Sequence, residues 1–202
     1  MSPILSRVVL SFSLLLPLGC AVPRLPDGPA LSPPAASASA SSPAAGVAAS
    51  RIEVAFSPEA GSEALVVKVI TSAHQSIRLA GYSFTSPAVV KALIDAKKRG
   101  VDVRVLIDDQ GNRSAASQLA QRLITGAGIP LRVISVYVIH HDKYIVVDGE
   151  TIQSGSFNYS QAAAKSNSEN VIVVWNDRAV AEQYLAHWEN RRTKGIEVEM
   201  AR

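Results

Sequence analysis

His141-Asp142-Lys143-Tyr144-Ile145-Val146-Val147-Asp148, followed six residues later by Gly155-Ser156-Phe157-Asn158, decides how the chain folds and what it can bind. Ile139 to Val147 is β-branched and aromatic between its polar members, which predicts a strand. Asp148-Gly149 is a hairpin turn signal, and Thr151 to Ser156 returns as the partner strand. Side chains alternate along a strand, so His141 and Lys143 are expected on one face, with Cα atoms about 6–7 Å apart. Ser156 and Asn158 share parity on the returning segment. Gly155 removes a side chain where a ligand can approach the backbone. The hairpin thus offers an imidazole, an ammonium, a hydroxyl and an amide to one anion.

Those groups suit a phosphodiester. Neutral imidazole is available near pH 7 as nucleophile or base. Lys143 can neutralise non-bridging phosphate oxygens, and Ser156 and Asn158 can donate to them. An imidazole also needs a partner to set its tautomer and ring orientation. Glu169, in Ser166-Asn167-Ser168-Glu169-Asn170, is the candidate for that role.

Working outward, Ile52 to Phe56 reads as a strand. Ser57-Pro58-Glu59 opens a helix that runs to Ile70, with a serine N-cap and a proline in the first turn. Ile77 to Phe84 is a strand. Ser86-Pro87 starts a helix whose Val89, Val90, Leu93 and Ile94 form a stripe ending at Gly100. Val101 to Ile107 and Leu131 to Ile134 are strands flanking a helix over Ser114 to Thr125. A strand at Val171 to Trp175 and an amphipathic helix over Arg178 to Arg192 complete the pattern. Strands alternating with helices imply an α/β fold: a mixed sheet core flanked by helices.

Other polar clusters have plainer readings. Asp108-Asp109, a conceivable metal pair, sits at a strand end where turn or capping roles are commoner. His140, His141 and Asp142 are adjacent, and neighbours on a strand face opposite ways, which argues against joint metal ligation. Tyr82, Ser83 and Phe84 suit a strand-end core more than a substrate cleft. Contact with a nucleic-acid backbone is one reading of Lys97-Lys98-Arg99 and Arg191-Arg192-Thr193-Lys194, and a solvated face is the favoured one. Both sit at helix C-termini, where basic residues commonly partner the helix dipole on a solvated face.

At the hairpin residues the chain resembles the phospholipase D superfamily, whose signature is His-x-Lys, four residues, Asp, six residues, Gly-Ser-x-Asn. Every fixed position matches. Ser76 to Ser86, Gly100 to Asp108 and the segment around Glu169 extend the likeness towards the small, single-motif bacterial endonucleases. The resemblance spans roughly Arg51 to the C-terminus and implies a phosphodiesterase that needs no metal or other cofactor. It makes His141 the nucleophile or the acid, with Lys143 and Asn158 gripping phosphate, Ser156 assisting and Glu169 orienting His141. Asp148 matches the motif aspartate and is counted with the catalytic set. Its parity opposes His141, so a supporting contact is expected of it.

The family mechanism uses two histidines, and most members carry two motifs. This chain has one. His74, His140 and His187 lack the surrounding pattern, so a homodimer with one composite site is expected. The expected substrate is DNA, with RNA left open, cut with little sequence preference. The alternatives are a phospholipase D-type phospholipid hydrolase and a non-catalytic nucleic-acid-binding lipoprotein of the cell envelope.

The chain has 202 residues, a formal net charge of +3 and one cysteine. A lone cysteine excludes an internal disulfide framework and a cysteine-based zinc site. The charge permits an anionic substrate without identifying one. Residues 1–21 read as a signal peptide: Arg7 is the basic region and Val8 to Leu18 the apolar core, too short to favour a span. Leu16-Pro17-Leu18-Gly19-Cys20 resembles a bacterial lipoprotein site with Cys20 lipidated and a membrane anchor as the result. Cleavage after Ala21 is the rival, and either exports the protein to the periplasm or envelope. Residues 22–50, rich in Pro, Ala and Ser, read as a disordered tether. Residues 51–202 are the expected catalytic domain.

Overall fold

The computed structural model describes residues 50–199. The expected signal peptide, Cys20 and nearly all of the expected tether lie outside the described residues. The sheet has eight strands in the order β1-β7-β6-β5-β2-β3-β4-β8. They are β1 (Arg51–Ser57), β2 (Ser76–Gly81), β3 (Asp102–Asp108), β4 (Leu131–Ile134), β5 (Lys143–Val147), β6 (Thr151–Gly155), β7 (Glu169–Trp175) and β8 (Ile196–Glu197). The helices are α1 (Ser62–Thr71), α2 (Pro87–Lys98), α3 (Ala115–Gly126), α4 (Gln161–Lys165) and α5 (Arg178–Arg192). The expected α/β architecture, a mixed sheet flanked by helices, is what forms.

Two halves meet at the centre of the sheet. β2, β3 and β4 run parallel, joined by helical crossovers. β5, β6 and β7 form an antiparallel meander, and β5 pairs with β2 antiparallel across the seam. The strands nearest the seam are apolar on both sides because both faces are covered. Ile77, Leu79, Val105, Ile107, Ile145 and Val147 face the main core with helices α1, α2 and α3. Ala80, Leu106, Tyr144, Val146 and Ile152 face a smaller core under α5. Trp188 anchors α5 there: it is buried, and its indole N–H donates to the Leu79 carbonyl at 3.0 Å.

Local chemistry sets the helix starts. Ser86 caps α2, accepting from Val89 N at 3.2 Å, and Ser114 caps α3 in the same way. The first helix departs from expectation. Ser57 is the last residue of β1, and α1 begins only at Ser62 behind Gly61 at φ 78°. Pairing of Ser57 with Glu169 extends the strand past the Ser-Pro signal, so the sheet ladder overrides a local cap.

Candidate active site

The seam places the functional residues at one end of the sheet, where β2 ends and β5 begins. Lys143 is the first residue of β5, not a mid-strand position. The strand expected from Ile139 starts late, and His141 sits in the loop before it. His141 is exposed, while Lys143 is 8% exposed. The Lys143 ammonium donates to the His141 carbonyl at 3.0 Å and lies 5.3 Å from the centre of the Tyr82 ring. Tyr82 also meets the His141 imidazole edge-on, with centroids 4.7 Å apart. The two side chains are thus gathered around one tyrosine rather than by strand alternation. Sequence reading favoured a core role for Tyr82.

Burial pushes the Lys143 ammonium below its usual range, and the charges of Glu169 and Asp142 oppose that drop. Such a lysine is poorly hydrated and ready to pair with an anion. Glu169 stands at the start of β7. Among the described residues its carboxylate bonds Ser156 Oγ at 2.6 Å and Asn167 Nδ2 at 2.9 Å, rather than His141. The Ser156 hydroxyl in turn accepts from Asn170 N at 3.0 Å and Asn170 Nδ2 at 3.2 Å. Its proton and lone pairs are engaged within the chain, so Ser156 fastens the β6–β7 corner instead of presenting a free donor. Asn158 Oδ1 is buried without a hydrogen-bond partner. Rotating that amide by half a turn would exchange the oxygen for the NH₂ group a phosphate accepts.

Asp148 is a correction. Counted with the catalytic set, it lies at the far end of β5, about 16 Å of strand from Lys143. Its carboxylate accepts from the backbone N–H groups of His74, Gln75 and Ser76 at 2.7–2.8 Å. It pins the α1–β2 turn, the supporting contact its parity suggested. Gly155 is required by the packing of the sheet. At φ 140°, a Cβ there would stand 2.3 Å from the Asn170 carbonyl oxygen. Its own chain makes that close approach, and Gly155 also lines the cleft beside Ser154.

His187 was set aside for lacking a motif, yet it lines the site. An open cleft of about 430 Å³ is bounded by His141, Asp142, Lys143, Ser154, Tyr184 and His187, among others. Asp142 Oδ2 holds His187 Nε2 at 2.9 Å and lies 3.4 Å from His140 Nδ1. His140 is buried, and desolvation lowers its pKa below the usual 6.5, favouring the neutral ring. Asp142 and His187 are 45 residues apart, so no local spacing could have joined them. Asp108 braces a turn: it accepts from Gly111 N at 2.6 Å and from His140 N at 2.8 Å. Among the described residues, no group of three His, Cys, Asp or Glu side chains is placed to hold a metal.

A cleft at the end of a mixed sheet, lined by an exposed imidazole and a buried ammonium, is suited to hold an anion such as a phosphodiester. Residues 66–192 match the family described as "Cardiolipin synthase, PLD-like domain". "Phospholipase D" of Rickettsia felis is 36% identical over 143 residues, covering 71% of this chain and 70% of that protein. "Mitochondrial cardiolipin hydrolase" of Xenopus tropicalis is 29% identical over 121 residues, covering 60% and 56%. Among solved structures, a phospholipase D family member, Nuc from Salmonella typhimurium, superposes with TM-score 0.74 and 46% identity, covering 75% of this chain and 99% of that one. The chain belongs to the phospholipase D superfamily of phosphodiesterases.

Proposed function

We propose that the protein is a metal-independent endonuclease that cuts DNA with little sequence preference in a homodimeric site. His141 attacks phosphorus, and the P–O bond to the leaving nucleoside oxygen breaks as a phosphohistidine forms. A second imidazole, His141 of another copy, gives that oxygen its proton and then takes one from the water that releases the phosphate. Lys143 and Asn158 hold the non-bridging oxygens, and Glu169 sustains the charge of Lys143 while tethering Ser156. The observation that carries the reading is the His141–Lys143 cluster on Tyr82 in a chain 46% identical, over the part that superposes, to Nuc from Salmonella typhimurium.

An uncovered apolar face supports a second copy. Ile52, Val54 and Phe56 on β1 are more than half exposed, and Val54 pairs with Ile172, which pairs with Ser154 at the cleft. A C₂ axis beside that face would bring two cleft mouths together. The purified protein should nick plasmid DNA in excess chelator, and His141→Ala should reduce the rate by at least about 10³-fold. Full activity in the variant would refute the assigned role. The relatives named for phospholipase and cardiolipin hydrolysis favour a second reading, a phospholipid hydrolase. Headgroup release from vesicles with DNA left intact would select it.

A further inference from the structure

Arg191 and Lys194 were read as half of a basic run on a solvated helix end. The structure divides that run. Arg192 is held by the Glu189 carboxylate through its Nε at 2.8 Å. Arg191 and Lys194 form no ion pair with an acidic side chain among the described residues. The Arg191 guanidinium lies 4.9 Å from the centre of the Tyr137 ring, and Lys194 lies 5.4 Å from it. Lys194 also donates to the Tyr137 hydroxyl at 2.8 Å, and Arg191 to Asn190 Oδ1 at 2.6 Å.

The position of these cations matters more than their number. His187 lines the cleft, and Arg191 follows it by four residues, one turn and about 6 Å along the same face of α5. Lys194 follows three residues later, just past the helix end. Tyr137 lies in the loop that leads into His141. Two cations without acidic partners among the described residues therefore continue from the cleft wall, both braced on one aromatic ring, a positively charged track of the kind that follows the backbone of a single strand.

We infer that this stripe of α5, with Tyr137, is a track for the nucleic-acid strand as it leaves the His141 cleft. The inference rests on the nuclease reading and specifies how a polynucleotide is held beyond its scissile phosphate. Arg191 and Lys194 each contact a backbone phosphate, and Tyr137 holds the two cations in place.

The test is binding of a fluorescent single-stranded oligonucleotide to the full chain carrying His141→Ala, across a salt series. Each phosphate contact contributes about 0.7 to the slope of log affinity against log salt. Adding Arg191→Ala and Lys194→Ala together should make the slope shallower by about 1.4. Between about 50 and 200 mM salt, that variant should lose roughly sevenfold less affinity than its parent. Arg192→Ala should leave the slope where it was. Equal slopes for parent and double variant would overturn the track, as would an Arg192→Ala effect of the same size. An altered oligomeric state with an unaltered slope would also overturn it, by making the stripe a subunit interface. A His141-intact chain that binds with the full slope and never cuts would sink the nuclease reading and leave the track standing.

Discussion

Asp148 and Lys143 stand at opposite ends of β5 and have different duties. Asp148→Ala frees three backbone N–H groups from one carboxylate. The cost is about 2 kcal/mol at this partly exposed turn, or roughly 4–8 °C in Tm. Calorimetry should show that loss while the folded fraction keeps its turnover rate. Lys143 responds to charge. Glu169 raises its pKa against the effect of burial. Glu169→Gln removes that support, so the ammonium loses its proton at lower pH. The alkaline limb of the rate profile should therefore move to lower pH, and a limb moved to higher pH would reverse the assigned coupling. The motif spelled out which residue types gather, but not that Ser156 is fully bonded within the chain or that Asp142 reaches His187. Those facts depend on where loops and α5 come to rest.

At the scale of elements, Gly155 is the joint between β6 and β7. Gly155→Ala places a methyl group against the Asn170 carbonyl and demands a backbone geometry that L-residues rarely adopt. The β6–β7 corner must open, and Ser156 and Glu169 move apart. The expected loss is about 3 kcal/mol of stability or more, with turnover reduced more steeply than the folded fraction. A variant with parental Tm and rate would contradict the packing. Elements with strong punctuation were legible: Ser86-Pro87 and Ser114 start α2 and α3, and α5 spans Arg178 to Arg192 as its pattern predicted. The late start of α1 was not, because pairing with β7 extends β1 through Ser57. The two-residue β8 has too little sequence to show a period, and its pairing with β4 is wholly tertiary.

For the whole molecule, the proposed homodimer, in which two subunits share one reaction centre, draws on one motif per chain and an apolar face reaching the cleft. If each must supply His141, mixing equal amounts of wild-type and His141→Ala subunits, with full exchange, leaves about a quarter of the activity. Retention of one half would mean that each subunit works alone. The α/β class was legible because the hydrophobic period switches repeatedly along the chain. The strand order was not, since nothing local tells β5 to settle beside β2 instead of β4.

The join between the two halves of the sheet decides when the cluster around His141 can exist. Tyr82 follows β2 on the parallel side, whereas His141, Lys143, Asn158 and Glu169 arrive with the later meander. A chain truncated before β5 keeps Tyr82 but lacks every residue of the His141 cluster. The proposed chemistry therefore requires the join between β2 and β5 to be closed, so the completed sheet is a precondition of any turnover.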